Sequence, residues 1–263
     1  MSLLQTDIRK VQVMRYITPL REGGSLPAIA EADDNFLYVL KFRGAGQGPK
    51  SLIAEMLGGE VARTLGLRVP EIVFAMLDSS FGRTEPDEEI QDLLKASVGL
   101  NLGLHYLSGA ISFDPLVNPV NEDLASAIVW LDSFLTNVDR TSNNTNMLVW
   151  NKELWLIDHG ASLYFHYSPE NWEKKAETPF GQIKNHVLLP YASRLEEAGQ
   201  RFQSVLTSGK LKELVNLIPD EWLDAAERPA SEWKDMYYRF LQKRLAASGI
   251  FIKEAENARA TLV

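Results

Sequence analysis

NVDRTSNNTNMLVWNKELWLIDHG, residues 137–160, opens with an Asp-Arg pair (Asp139, Arg140) in a loop crowded with Asn, Ser and Thr. A short apolar run follows, Met147 to Trp150, then a polar turn at Asn151-Lys152, then a second run, Leu154 to Ile157, ending in Asp158-His159-Gly160. Two strand-length runs around an Asn-containing turn predict a β-hairpin. It would hold an acid and amides at one end (Asp139, Asn144, Asn146) and a second acid at the other (Asp158). Such a set suits phosphoryl transfer from ATP. One carboxylate orients the attacking hydroxyl, and oxygen ligands hold Mg²⁺ on the phosphates.

The segments before it fit that hypothesis. Val11 to Ile17 reads as an early strand, Arg21 to Ser25 as a Gly-containing turn, and Leu26 to Ala30 as a short apolar stretch. Asp33 to Asn35 makes the next turn, before a buried strand Phe36 to Phe42. Together these predict a small antiparallel sheet whose first turn, Gly23-Gly24-Ser25, is able to lie over a phosphate. Lys41 interrupts the apolar strand, and a buried lysine needs an acid or an anion as partner. Pro49 suits the first turn of a helix running to Leu65, with Gly66 as its stop. Ile53, Leu57, Val61 and Leu65 give that helix a core face. Glu55 and Glu60 lie on it, and the helical wheel by itself favours Glu60 as the partner of Lys41.

Further along, Glu71 to Leu77 is a strand candidate and residues 83–92 are a polar insertion, read as a solvated loop or short helix. Residues 102–107 read as a crossing between two lobes, where backbone groups near His105 and Tyr106 are placed to contact adenine. Asn121 caps a buried helix over Leu124 to Leu135, with Glu122 and Asp123 in its first turn. From Phe180 the pattern is helical: Tyr191 to Leu206, Lys210 to Ile218, Asp220 to Glu227, and Ser231 to Ser248 with Gly249 as a stop.

Composition limits the alternatives. The chain has 263 residues, 45% hydrophobic and 24% charged, which is ordinary for a globular protein. A net charge of −8 argues against an extended nucleic-acid surface and against anionic membranes. There is no Cys, which removes disulfides, thiolate metal sites and Cys nucleophiles. The four His show no HExxH spacing, no G-x-S-x-G elbow occurs, and no apolar run approaches a membrane span. The expected setting is cytoplasmic. A P-loop is the nearest rival: Gly44 to Ser51 matches G-x-x-x-x-G-K-[ST] except that Pro49 stands where the last Gly belongs. Proline has no N–H to offer a phosphate and fixes φ.

The order Gly turn, strand Lys, helix Glu, Asp loop with Asn, then strand-Asp-x-Gly is the order of parts in protein kinases. Over about Ile17 to Tyr167 the sequence resembles the HipA-like kinases of the protein-kinase-like superfamily. The residues that carry the likeness are Val39 to Phe42, Ala54-Glu55, Leu65 to Glu71, Val138 to Thr141, Asn144 to Leu148 and Leu156 to Gly160. The Asp-Arg pair and the Asn-Met-Leu run are also similar to phosphoinositide lipid kinases. The resemblance implies that Lys41 holds the α/β-phosphates under Gly23, Gly24 and Ser25, and that Glu55 pairs with Lys41. It also implies that Asp139 is the catalytic base and that Asp158 binds Mg²⁺. Spacing from the Asp selects Asn144 as the second metal ligand, whereas position before the strand selects Asn146; Asn146 is favoured, with Asn144 nearby. His159 stands where the kinase motif has Phe. Toxin-type members carry an additional N-terminal segment, so their antitoxin pairing and operator binding are not carried over.

The expected architecture is α+β, a two-lobed protein-kinase-like fold. A small antiparallel-sheet lobe with one main helix would span 1–104, and a mostly helical lobe with the catalytic loop and hairpin 105–263. The expected activity is Mg²⁺-ATP-dependent phosphoryl transfer to a hydroxyl, with protein Ser/Thr as the leading acceptor and a small molecule or lipid headgroup next. A non-catalytic nucleotide-binding protein is the alternative of another class.

Overall fold

The computed structural model describes residues 7–20, 26–81, 86–223 and 227–262. Strands β1 (Lys10–Pro19), β2 (Ala28–Ala32) and β3 (Leu37–Lys41) are consecutive antiparallel neighbours, followed by helix α1 (Pro49–Thr64). Next come β4 (Ile72–Leu77), α2 (Glu88–Ala96) and β5 (Gly99–His105). The hydrogen-bonded order is β1-β2-β3-β5-β4, and the sheet closes because Lys10 to Gln12 runs parallel to Phe74 to Met76. The expectation of a plain antiparallel sheet is corrected here. The strands form a barrel with one parallel seam, which leaves no unpaired edge.

Alternation puts Val11, Val13, Tyr38, Leu40, Val73 and Ala75 into one interior cluster, and the three alanines of β2 keep that interior narrow. The polar insertion contributes α2, capped by Asp87, which accepts from the Glu89 N–H at 3.0 Å. Ile90 and Leu94 of this helix pack into the barrel cluster.

The remaining elements are β6 (Ile111–Ser112), α3 (Glu122–Leu135), β7 (Met147–Trp150), β8 (Glu153–Leu156), α4 (Trp172–Ala176), α5 (Leu195–Val205), α6 (Ser208–Asn216), α7 (Ala230–Ala246) and α8 (Ser248–Ala260). β7 and β8 form a hairpin, Met147 opposite Leu156, and β6 adds a third strand through Ile111 and Val149. Its turn residues Asn151 and Lys152 both have positive φ, 50° and 65°, as a type I′ turn requires. Asn121 caps α3 by accepting from the Leu124 N–H at 2.8 Å.

α6 and α7 shift by one or two residues from the sequence reading, and three other boundaries differ by more. Leu189–Tyr191 is a separate 3₁₀ turn ahead of α5, and within the described part of 220–227 only Asp220–Trp222 is helical, again 3₁₀. Gly249 does not stop the chain. It lies in the first turn of α8, whose buried Phe251, Ile252 and Ala255 continue the helical period.

One apolar core joins α1 and the outer residues of β4 and β5 to α3 and the C-terminal helices. Trp222 ties these parts together, its Nε1 donating to the Leu100 carbonyl at 3.0 Å and its ring meeting Phe74 edge-on at 5.5 Å. None of the described helices is long and apolar enough to cross a membrane.

Candidate active site

Lys41 closes β3 with its side chain on the outside of the barrel, since its neighbours Leu40 and Phe42 are buried. Its ammonium sits 2.6 Å from Glu55 Oε2 and 2.6 Å from Asp158 Oδ1. The Glu55 side chain is fully buried and that of Asp158 is 45% exposed, so the ion pair runs from the core to an open surface. Burial alone would raise the Glu55 carboxyl, but the Lys41 charge overrides it and holds it down at about 2. Burial likewise disfavours the Lys41 ammonium, and its two carboxylates outweigh that and push its pKa up. Glu60, which the wheel preferred, pairs instead with Arg63 at 3.3 Å. The wheel misleads because α1 is buried over every residue from Leu52 to Gly59, leaving no single apolar face to read.

α1 also sets the position of Asp158. A Cβ on Gly58 would fall 2.6 Å from His159 Cβ and 3.0 Å from its Cγ, so only glycine lets the helix approach the Asp-His-Gly turn this closely. His159 is fully buried there, with Nδ1 3.9 Å from Glu55 Oε1. Asp158 itself takes a left-handed backbone (φ 54°) as the chain leaves β8.

The second acid stands in the loop after α3. Asn144 Nδ2 donates to Asp139 Oδ2 at 2.9 Å, and Asn146 Nδ2 donates to the same oxygen at 3.1 Å and to the Asp139 carbonyl at 2.9 Å. The Ile157 N–H donates to the Asn146 carbonyl at 3.0 Å. Asn146 and Asp158 therefore sit at the same open end of the hairpin, continuing the Met147–Leu156 register. With its amide nitrogen committed to Asp139, Asn146 keeps its side-chain oxygen without a donor among the described residues. Asp158 and Asn146 thus bring side-chain oxygens to the same end of the hairpin.

Beneath this loop lies a buried network that adds Asp132, Asn137 and His186 to the residues expected from the sequence. Arg140 Nε donates to Asp132 Oδ2 of α3 at 2.6 Å, and its Nη1 donates to the carbonyls of Asn146 and, at 3.3 Å, Ile157. Asn137 Nδ2 donates to Asp132 Oδ1 at 3.0 Å, and the Asp139 N–H donates to Asn137 Oδ1 at 3.1 Å. His186 Nε2 meets Asp132 Oδ2 at 2.9 Å. Burial would raise the Asp132 carboxyl, but Arg140 and His186 depress it well below the ordinary carboxylate range. Asp132 carried a sequence signal, a lone charge within an apolar helical run. His186 carried none.

Other expected groups fall differently. Gly23, Gly24 and Ser25 lie outside the described residues. The His105 N–H donates to the Glu71 carbonyl and the Tyr106 N–H to the Leu37 carbonyl, both at 2.8 Å, so neither amide is left to donate to an adenine. The His105 ring packs edge-on against Phe36 and Tyr38. In the P-loop-like segment, the amides of Gly44, Ala45 and Gly48 donate to Ser97 Oγ, the Phe42 carbonyl and the Ala45 carbonyl. Lys50 lies over the Trp233 ring at 5.0 Å. A phosphate cradle needs those amides free.

The profile of the HipA-like kinase family matches residues 13–248. A search of curated proteins found no match. Among solved structures, the chain is similar to the Helicobacter pylori proinflammatory kinase CtkA, with a TM-score of 0.58 and 13% identity over 97% of this chain and 99% of that one. It is also similar to a Golgi casein kinase with Mn/ADP bound, with a TM-score of 0.50 and 13% identity over 98% of this chain and 76% of that one. At such identity these likenesses establish a kinase-like fold, here built from a barrel and helices. The family match spans nearly the whole chain, and on it the protein belongs to the HipA-like kinases.

Proposed function

We propose that the chain is a Mg²⁺-ATP-dependent kinase that phosphorylates a hydroxyl, with protein Ser/Thr as its acceptor. The observation that carries this reading is the convergence of Lys41, Glu55 and Asp158, from β3, α1 and the end of β8, within 2.6 Å contacts, next to a hairpin end shared with Asn146. In this reading the division falls near residue 104, where the chain leaves β5, and the setting is cytoplasmic.

The donor set fits the metal. Among the described residues no group of three or more His, Asp or Glu could hold an ion by itself. Mg²⁺ is commonly held by one or two carboxylates and completed by substrate phosphates. Asp158 and Asn146 are the residues that would hold it, with Asn144 nearby. The structural relative that carries Mn/ADP supports a metal-nucleotide site in this fold.

Bound Mg²⁺-ATP supplies the phosphoryl group and the neutralising charge. Lys41, steadied by Glu55, is poised to turn from Asp158 to phosphate oxygens. Asp139 accepts the proton of the acceptor hydroxyl. Its Oδ2 is held by two asparagine amides, which leaves Oδ1 to receive that hydroxyl. Catalysis then rests on positioning and charge stabilisation, with no covalent enzyme intermediate.

The test uses labelled ATP with mixed protein and small-hydroxyl acceptors. Asp139→Ala should bind ATP normally and lose transfer; unchanged turnover removes the base assignment. Lys41→Ala should lose ATP binding while Lys50→Ala keeps it, and the reverse would place the phosphates at the Gly44–Ser51 loop. Label on small hydroxyls alone would exclude the protein acceptor.

A further inference from the structure

His186 lies in the segment between the Asp-His-Gly turn and α5, far along the chain from any residue assigned to the reaction. Both of its ring nitrogens are engaged. The Leu188 N–H donates to Nδ1 at 3.0 Å, so Nδ1 is an acceptor and carries no proton. Nε2 must then hold the proton and donate it to Asp132 Oδ2 at 2.9 Å. Burial pushes His186 below its ordinary value, in keeping with this neutral tautomer.

The Asp132 carboxylate so approached has three donors, each leading to a different part of the loop. Arg140 runs on to the carbonyls of Asn146 and Ile157, at the end of the hairpin that bears the two metal-facing oxygens. Asn137 runs on to the Asp139 amide. His186 brings its own segment, which is stitched to the same loop by the Val187 N–H donating to the Arg140 carbonyl at 3.1 Å and by a Thr141–His186 bridge. Asp132, Arg140 and His186 are all buried, where leaving a polar group without its partner is costly.

We propose that His186, acting through Asp132, is a positioning residue for phosphoryl transfer, setting where Asp139 and Asn146 stand without touching nucleotide or acceptor. This rests on the kinase reading above. It separates two functions within the site, since Lys41 and Glu55 belong to the barrel and α1 and pair with each other, Asp158 and His159. Loss of His186 should therefore slow transfer more than it weakens nucleotide binding at saturating Mg²⁺.

The experiment compares His186→Leu and His186→Gln with the parent, in the full chain and well below each variant's Tm. The readouts are kcat and KM for ATP in label transfer to casein as probe and in ATP hydrolysis, with amide hydrogen exchange of residues 137–147. The leucine variant should lose about ten- to a hundredfold in kcat, the scale of a displacement of about 1 Å, with KM for ATP at saturating Mg²⁺ changed by a clearly smaller factor. Its loop amides should exchange faster while those of β3 and α1 do not. Glutamine can offer an N–H near the place of Nε2 and should restore most of kcat. A leucine variant with parental kcat, or one with reduced kcat and no faster loop exchange, overturns the proposal. So does a glutamine variant no better than leucine. A parent without transfer or hydrolysis refutes the kinase reading instead, and unchanged loop exchange would then refute this inference separately.

Discussion

Replacing Gly58 by alanine adds one methyl group where α1 meets the Asp-His-Gly turn. On an open helix the change would stabilise by about 1 kcal/mol, because glycine loses more backbone entropy on folding than alanine. Here the new Cβ would stand 2.6 Å from His159 Cβ, against an ordinary carbon–carbon contact of about 3.6 Å. The neighbour must retreat by about 1 Å, and the atom in the way is a Cβ tied to the backbone of a fully buried residue. Overpacking of this kind costs about 1–3 kcal/mol, so the net effect on stability lies between neutral and about 2 kcal/mol unfavourable. Function should suffer more. Asp158 is the adjacent residue, and a 1 Å displacement of a reacting group is enough to cost about a hundredfold in rate. The assay is label transfer from ATP alongside urea unfolding of the same preparation. The expected result is a variant that remains folded, with unfolding free energy within about 2 kcal/mol of the parent, and kcat reduced by one to two orders of magnitude. A Gly58→Ala protein more stable by the helix-propensity gain and equally active would refute the reasoning, since α1 would then have room to spare.

The two asparagines should separate in a Mg²⁺ titration of transfer. Asn146→Ala, which removes a buried side chain bonded twice to Asp139, should raise the Mg²⁺ requirement about tenfold or more, and Asn144→Ala less than about threefold; the opposite order would make Asn144 the ligand. Acid should destabilise the fold through His166, which burial first and then the Lys50 charge hold down at about 3. Below its ordinary pKa the unfolded chain takes up a proton that the folded one refuses, so stability falls by about 1.4 kcal/mol per pH unit between about pH 6.5 and 3. Urea unfolding at pH 7.5 and 5.5 should show this loss in the parent and about 1 kcal/mol less of it in His166→Asn. Equal losses in both would mean that His166 does not carry the effect.

The strand lysine, the Asp-Arg loop with its asparagines, and the hairpin ending in Asp158 could be read directly from residue order, because each depends on neighbours only a few positions away. An apolar strand broken by one lysine, a polar turn between two apolar runs, and an Asn before an acidic first turn all declare themselves locally. Gly249 shows where local reading fails. A glycine after a helical run signals a stop, yet the apolar side chains beyond it had a face of α3 and α5 to cover, and the chain turned and wound on as α8.

What the sequence alone determined about this protein is the kind and order of its chemical groups and the family to which they point, since side-chain chemistry and periodicity belong to the residues themselves. Tertiary structure decided which of those groups meet. Glu55 stands on Lys41 and Glu60 does not, although the helical wheel ranked them the other way, because α1 is enclosed on all sides. The barrel closes through a parallel seam between strands far apart in the chain. His186 joins the loop from a separate segment, through Asp132. Each of these depends on burial and packing between distant parts, where a charge survives only beside its partner, and no short window of sequence contains both members of the pair.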